Sequence, residues 1–280
     1  MSSWNTGDTV VNGVRLHFTR TGGNKPPVVL AHGFSDSGLC WTPVAQALAA
    51  DYDLVMVDAR GHGFSDAPET GYTLTEMASD LQGVIASLGL VRPAIIGHSM
   101  GGGTTLALAG LYPNVPGAII LEDAGALDAS DFPRRQEGEE NPFLSRLSRL
   151  QTKTRDELIA EMRASTEWPD AELEPWADAK LQFNMRAAQF HPTNGITWTE
   201  LLPHITCPAL LITADLDRGA IVRPEMAAAM QQQMPQLQIA HIPGAGHSIR
   251  REQFDRYIAV VRSFLDTWAA AYRQADAHPF

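Results

Sequence analysis

The chain has 280 residues, of which 44% are hydrophobic and 19% charged, enough apolar material for one full core of α/β size. A formal charge of −11 argues against nucleic acid and anionic membrane surfaces as partners, because both require a positive field. Cys40 and Cys207 form no CxxC pair, which argues against a disulfide framework and a thiolate metal site and points to reduced, buried thiols.

In chain order, Thr9–Phe18 opens with Asn12-Gly13 between two strand-like runs. Both residues accept the positive φ of a type I′ turn, so a hairpin is expected. After a Gly/Pro-rich break at 22–27 come short apolar runs at Val28–Ala31, Leu54–Val57, Ala94–Ile96, Ala118–Leu121, Ala209–Thr213 and Leu237–Ile242. Runs this short, alternating with helix-like segments, suit strands of a mostly parallel sheet buried on both faces. Leu74 to Leu90 and the segment after Gly103 fit crossover helices, and Phe254, Tyr257, Ile258, Val261, Phe264, Leu265 and Trp268 recur at helical spacing.

Between Leu121 and Ala209 the alternation stops. The expected organisation is a core of residues 1–127 and 204–280 interrupted by a helical cap at 128–203. Thr154–Glu157 and Thr197–Glu200 each have capping-box spacing and mark two helix starts there. Phe143, Trp168, Trp176, Phe183, Phe190 and Trp198 in this insertion are read first as packing onto the sheet domain, with substrate walls as the alternative. The N-terminus lacks a basic start followed by an apolar run, and no apolar stretch of about 18 residues occurs, so a cytoplasmic address without membrane spans is expected.

Chemistry concentrates at Gly97-His98-Ser99-Met100-Gly101, which follows one strand run and precedes a small-residue segment. In a strand–turn–helix setting, G-x-S-x-G holds its serine on a strained turn above the sheet, with glycines where Cβ atoms would clash. A serine hydroxyl needs a base to take its proton and a carboxylate to fix the base's tautomer. His247, in the Gly-rich loop Pro243–Ser248 after the last strand run, is the expected base. His98 is read as a neighbour shaping the turn. For the acid, Asp215 and Asp217 end one strand and Asp123 ends another at the same edge. Backbone N–H groups of Met100 and Phe34 are the expected oxyanion donors, Phe34 because His32-Gly33-Phe34 opens the loop after a strand.

His32-Gly33, the Asp58–Ser65 stretch DARGHGFS, Gly97–Gly102, Asp215-Leu-Asp217 and Gly244–His247 together resemble the α/β-hydrolase fold family over about residues 10–270. The resemblance implies a mostly parallel sheet flanked by helices and an acid on the loop after Leu210–Thr213, which selects Asp217 with Asp215 as the competitor. The usual Gly-x-x-Asp is Ala214-x-x-Asp217 here. It also disfavours dehalogenase and epoxide hydrolase chemistry, which in similar proteins uses an aspartate where Ser99 stands.

The resulting expectation is a serine hydrolase of carboxylic esters or lactones, acting through Ser99, His247 and Asp217 with no metal or organic cofactor, on a small-molecule substrate. Carbon–carbon bond hydrolysis and cofactor-free perhydrolysis share such a triad, and the Gly101–Gly103 run is similar to the perhydrolase group. A small-molecule receptor with slow or vestigial turnover is the rival from another class. The natural substrate and the oligomeric state are not legible in the sequence.

Overall fold

A computed structural model describes residues 4–126, 141–190 and 197–276. Its centre is an eight-stranded sheet: β1 (Asn5–Val11), β2 (Val14–Arg20), β3 (Pro27–Ala31), β4 (Asp53–Val57), β5 (Ala94–His98), β6 (Ala118–Glu122), β7 (Ala209–Thr213) and β8 (Leu237–His241). The spatial order is β1-β2-β4-β3-β5-β6-β7-β8. β1 and β2 form the expected hairpin, turning at Asn12 (φ 52°) and Gly13 (φ 76°). β2 runs antiparallel to β4, and every pairing from β4 to β8 is parallel.

The parallel strands bury both faces, and the period-two geometry of a strand sorts their residues by parity. Val29, Val55, Val57, Ile95, Ile119, Leu121 and Leu211 face one layer, formed by α2 (Leu74–Ser87), α3 (Met100–Leu111) and α8 (Pro224–Gln233). Val28, Leu30, Leu54, Met56, Ile96, Ile120, Leu210 and Ile212 face the other, formed by α1 (Thr42–Leu48), the short α9 (Ile249–Glu252) and the long α10 (Phe254–Asp276). Tyr257, Val261, Phe264, Leu265 and Trp268 of α10 are buried there, as their spacing requires. Helix α2 also starts on a capping box, Thr73 with Glu76.

Among the described residues between β6 and β7 the chain forms helices and no strand: α4 (Pro142–Leu150), α5 (Arg155–Ser165), α6 (Asp170–Gln182) and the short α7 (Trp198–Leu201). The expected boundary at 127/128 lies outside the described residues, and the one at 203/204 falls in a 3-10 turn at Leu202–His204. Thr154 and Glu157 make the expected capping box. Thr197 does not cap α7 with its side chain; this helix is four residues long and gives way to a turn containing Pro203. No described helix is long and apolar enough to cross a membrane.

Candidate active site

β3 and β5 are neighbours, and the chain leaves β3 over one face of the sheet through α1 and β5 over the other through α3, so a crevice opens between their C-terminal ends. The loops after β3 and β5 meet at that crevice. Ser99, directly after β5, has φ 50° and ψ −115°, a strained backbone for a residue with a side chain. Two hydrogen bonds and two close backbone approaches fix the turn. Ser99 N–H donates to Glu122 O at 3.2 Å and Gly103 N–H to Ser99 O at 2.9 Å. A Cβ on Gly97 would stand 2.3 Å from Gly101 O, and one on Gly101 would stand 2.2 Å from Ala31 O, so both flanking positions need glycine for close backbone approach. A Cβ on Gly102 would collide with Ala124, at 2.2 Å, whereas one on Gly103 would meet only the Leu74 side chain, at 3.3 Å; the second glycine of the run is explained by packing, and the third needs only a small shift of Leu74 to be replaced.

The loop after β3 lies against this turn, since a Cβ on Gly33 would come within 2.6 Å of His98 Nδ1 and 3.5 Å of Ser99 Cβ. Phe34 is the next residue along that loop. Met100, the residue after Ser99, begins α3, whose first N–H groups lack intrahelical acceptors and point out of the helix end. The Phe34 ring is encircled by Phe183 (centroids 5.1 Å apart), His62 (5.6 Å), Phe143 (5.7 Å) and Phe190 (5.8 Å). Three of these come from the segment between β6 and β7, so part of the aromatic content read as packing gathers beside the site. Trp176 and Trp198 are buried elsewhere, and Trp168 lies over the Arg251 guanidinium at 4.7 Å.

His247 stands in the loop after β8. His98, next to Ser99, donates Nε2–H to His247 O at 2.9 Å, and the two rings are 4.8 Å apart. Burial, then the Arg250 charge and His247, push His98 well below the usual imidazole range, so it is neutral and serves as a strut. His62 is driven down to about 3, mainly by burial and then by His32.

The expectation that Asp217 pairs with His247 is corrected by the geometry. His247 Nδ1 is 2.6 Å from Asp123 Oδ2, at the end of β6. Asp123 is fully buried, has φ 40°, and accepts backbone N–H groups of Ile221 (2.9 Å) and Val222 (3.1 Å). Asp217 lies exposed in the 3-10 turn Leu216–Arg218, while the Nδ1 of His247 is already taken by Asp123. Asp215 is taken too: it accepts from His241 Nε2 (3.0 Å) and Gly244 N–H (2.7 Å), and so supports the loop before His247. The signal for Asp123 is conformational. Ser35, Ser99 and Asp123 all carry positive φ without being glycine, and all lie at this edge of the sheet.

The Asp58–Ser65 stretch anchors the floor of the crevice. Asp58 accepts Gly38 N–H (2.6 Å) and Phe64 N–H (2.8 Å), and Arg60 binds Asp80 through two nitrogens. Among the described residues no group of three His, Cys, Asp or Glu side chains lies close enough to hold a metal ion.

A serine on a strained turn beside a histidine held by a buried carboxylate is an arrangement suited to nucleophilic acyl transfer. The chain belongs to the alpha/beta hydrolase family, whose model matches residues 28–260. Among its relatives, N-formylmaleamate deformylase of Pseudomonas putida is 29% identical over 267 residues, covering 93% of this chain and 96% of that protein. Esterase YbfF of Escherichia coli is 26% identical, covering 90% and 98% respectively. The crystal structure of an N-formylmaleamic acid deformylase from Pseudomonas putida S16 superimposes with a TM-score of 0.76 at 24% identity, over 92% of this chain and all of the other.

Proposed function

We propose that this protein is a serine hydrolase of carboxylic acyl bonds, esters or lactones first among them. Ser99 Oγ attacks the acyl carbon, and His247 Nε2 takes the hydroxyl proton. The negative oxygen of the tetrahedral intermediate is held by the N–H groups of Phe34 and Met100. His247 then returns the proton to the leaving group, and water, activated by the same imidazole, releases the acyl group from Ser99. Asp123 holds His247 in the tautomer that keeps Nε2 unprotonated. The reading is carried by one observation, the 2.6 Å contact between His247 Nδ1 and a buried carboxylate, in the loop that His98 ties to the Ser99 turn. The reaction needs no metal or organic cofactor, because serine, imidazole and main-chain donors supply both nucleophile and charge stabilisation.

We read the helices described at 141–190 as a cap over the crevice. Phe143, Phe183 and Phe190 beside Phe34 favour an apolar or aromatic group on the substrate. A second bond type, an activated amide such as an N-formyl group, is favoured by the similarity to a deformylase along nearly the whole chain. Ser99→Ala is expected to abolish p-nitrophenyl acetate turnover with an unchanged circular dichroism spectrum, and retained turnover overturns the proposal. Relative kcat/KM on matched esters, lactones and N-formyl amides decides the preferred bond.

A further inference from the structure

Six ionisable side chains are buried together beneath the crevice. Three are anions (Asp36, Glu122 and Glu172) and three are cations (Lys180, Arg250 and Arg251), and each is at most 6% exposed. Burying so many charges is costly unless each is paired, and here the pairing closes with no net charge. Lys180 Nζ donates to Ser35 O (2.7 Å) and Asp36 Oδ1 (3.0 Å). Arg251 donates to Glu172 Oε2 (3.1 Å) and Asp36 Oδ2 (3.0 Å). Burial alone would raise Asp36, but Arg251, Lys180 and Arg250 outweigh it and hold the carboxyl well below its ordinary range. A balanced cluster has no charge left over for a bound anion, so a substrate site is not the explanation.

What distinguishes the cluster is where its members sit in the chain. Asp36 is two residues past Phe34, Glu122 directly precedes Asp123, and Arg250 is three residues past His247. Arg250 touches all three loops at once. Its backbone N–H donates to Glu122 Oε1 (2.9 Å), Nη1 to Glu122 Oε2 (3.1 Å) and Nη2 to Asp36 Oδ2 (3.3 Å), with the guanidinium 4.3 Å over the Trp41 ring. A planar fork with donors at fixed angles can span two carboxylates in a set geometry, which a single ammonium cannot do.

We propose that Arg250, with Glu122, is a positioning residue that sets the loops carrying the oxyanion donor, the acid and the base in register with one another. This rests on the acyl-transfer reading above and deepens it. Neither residue meets the substrate, so their removal lowers kcat and leaves KM nearly unchanged, since orientation errors of about 1 Å at a reacting centre cost on the order of 100-fold.

The test is the double variant Glu122→Gln/Arg250→Met, assayed in the full chain with p-nitrophenyl acetate. It removes one anion and one cation, so the four remaining charges stay balanced, and similar replacements of buried ion pairs are frequently neutral for stability. The expected result is a folded protein with kcat at least tenfold lower, KM within about threefold, and an altered downfield Nδ1–H proton resonance of His247. A kcat loss below tenfold, a loss carried by KM, or an unmoved resonance overturns the proposal. Should the double variant not fold, Arg250→Lys, which keeps the charge and loses the fork, is judged by the same three measurements. Activity that persists in Ser99→Ala defeats the acyl-transfer reading itself, whereas Ser99-dependent activity indifferent to Arg250 defeats only the positioning role.

Discussion

Replacing Asp123 by Asn separates the two carboxylates that sequence and structure select. The amide can enter in two orientations. With Nδ2 in the place of Oδ2, the remaining oxygen still accepts Ile221 N–H and Val222 N–H, at 3.2 and 3.1 Å in the native protein, and Nδ2 meets His247 Nδ1 at 2.6 Å. With the amide reversed, Val222 N–H loses its carboxylate partner, at a cost of about 1–3 kcal/mol for a buried donor. The first orientation sets Nδ2 where Ile221 N–H donated at 2.9 Å, but that N–H can shift wholly onto the remaining oxygen, so this orientation is preferred. It obliges His247 to accept at Nδ1 and to carry its proton on Nε2, the tautomer that cannot take the Ser99 proton. Where an Asp-to-Asn exchange imposes the wrong tautomer on a serine hydrolase, kcat falls about 10⁴-fold, or roughly 5.5 kcal/mol of transition-state stabilisation. Asp217→Asn, on an exposed turn, is expected to leave kcat/KM within about twofold. Initial rates on p-nitrophenyl acetate, with circular dichroism confirming the fold, read both variants. Asp123→Asn retaining more than a tenth of wild-type activity, or Asp217→Asn losing as much as Asp123→Asn, refutes the reasoning.

Gly101→Ala drives a methyl toward Ala31 O and is expected to lower stability by at least about 1–3 kcal/mol, read as a fall in the urea midpoint. Stability should also fall in mild acid. His62, at about 3 in the folded state against about 6.5 when unfolded, has a depressed folded value, so its contribution is present above about pH 6.5 and is lost as pH falls toward 3. From pH 7 to pH 5 that single group accounts for about 2 kcal/mol, and His62→Gln should flatten this part of the urea midpoint profile; an unchanged slope refutes it. Cys40 and Cys207, both buried with thiols pushed up to about 11 by burial, should resist iodoacetamide at pH 8 in the native protein and react only after unfolding. Alkylation of either at native rates comparable to a free thiol counts against the packing described.

Local chemistry carried much of this architecture into the sequence. Asn12-Gly13 announces its own turn, short runs such as Val28–Ala31 are buried on both faces wherever they fall in a parallel sheet, and the spacing of Tyr257, Val261 and Leu265 declares the buried stripe of α10. The elbow at Ser99 is equally local, because Gly97 and Gly101 are needed by contacts within the same strand–turn–helix unit and the neighbouring β3. His247 could be singled out because a Gly-rich loop after a terminal strand arrives at the same edge as Ser99.

The partner of that histidine could not. Asp123, Asp215 and Asp217 all end strands at one edge, and nothing in their immediate neighbours distinguishes them. The choice depends on which loop approaches His247 in space: β6 lies between β5 and β7, and Asp123, turned by its positive φ and gripped by Ile221 and Val222 N–H groups, reaches the imidazole, while Asp217 has passed into a surface turn. The same holds for the six buried charges. Asp36, Glu122, Glu172, Lys180, Arg250 and Arg251 read as ordinary surface residues along the chain, and only the folded arrangement brings them out of water as a neutral set. Contacts between distant segments are decided by the packing of whole layers, and that information is not held in any one stretch of residues.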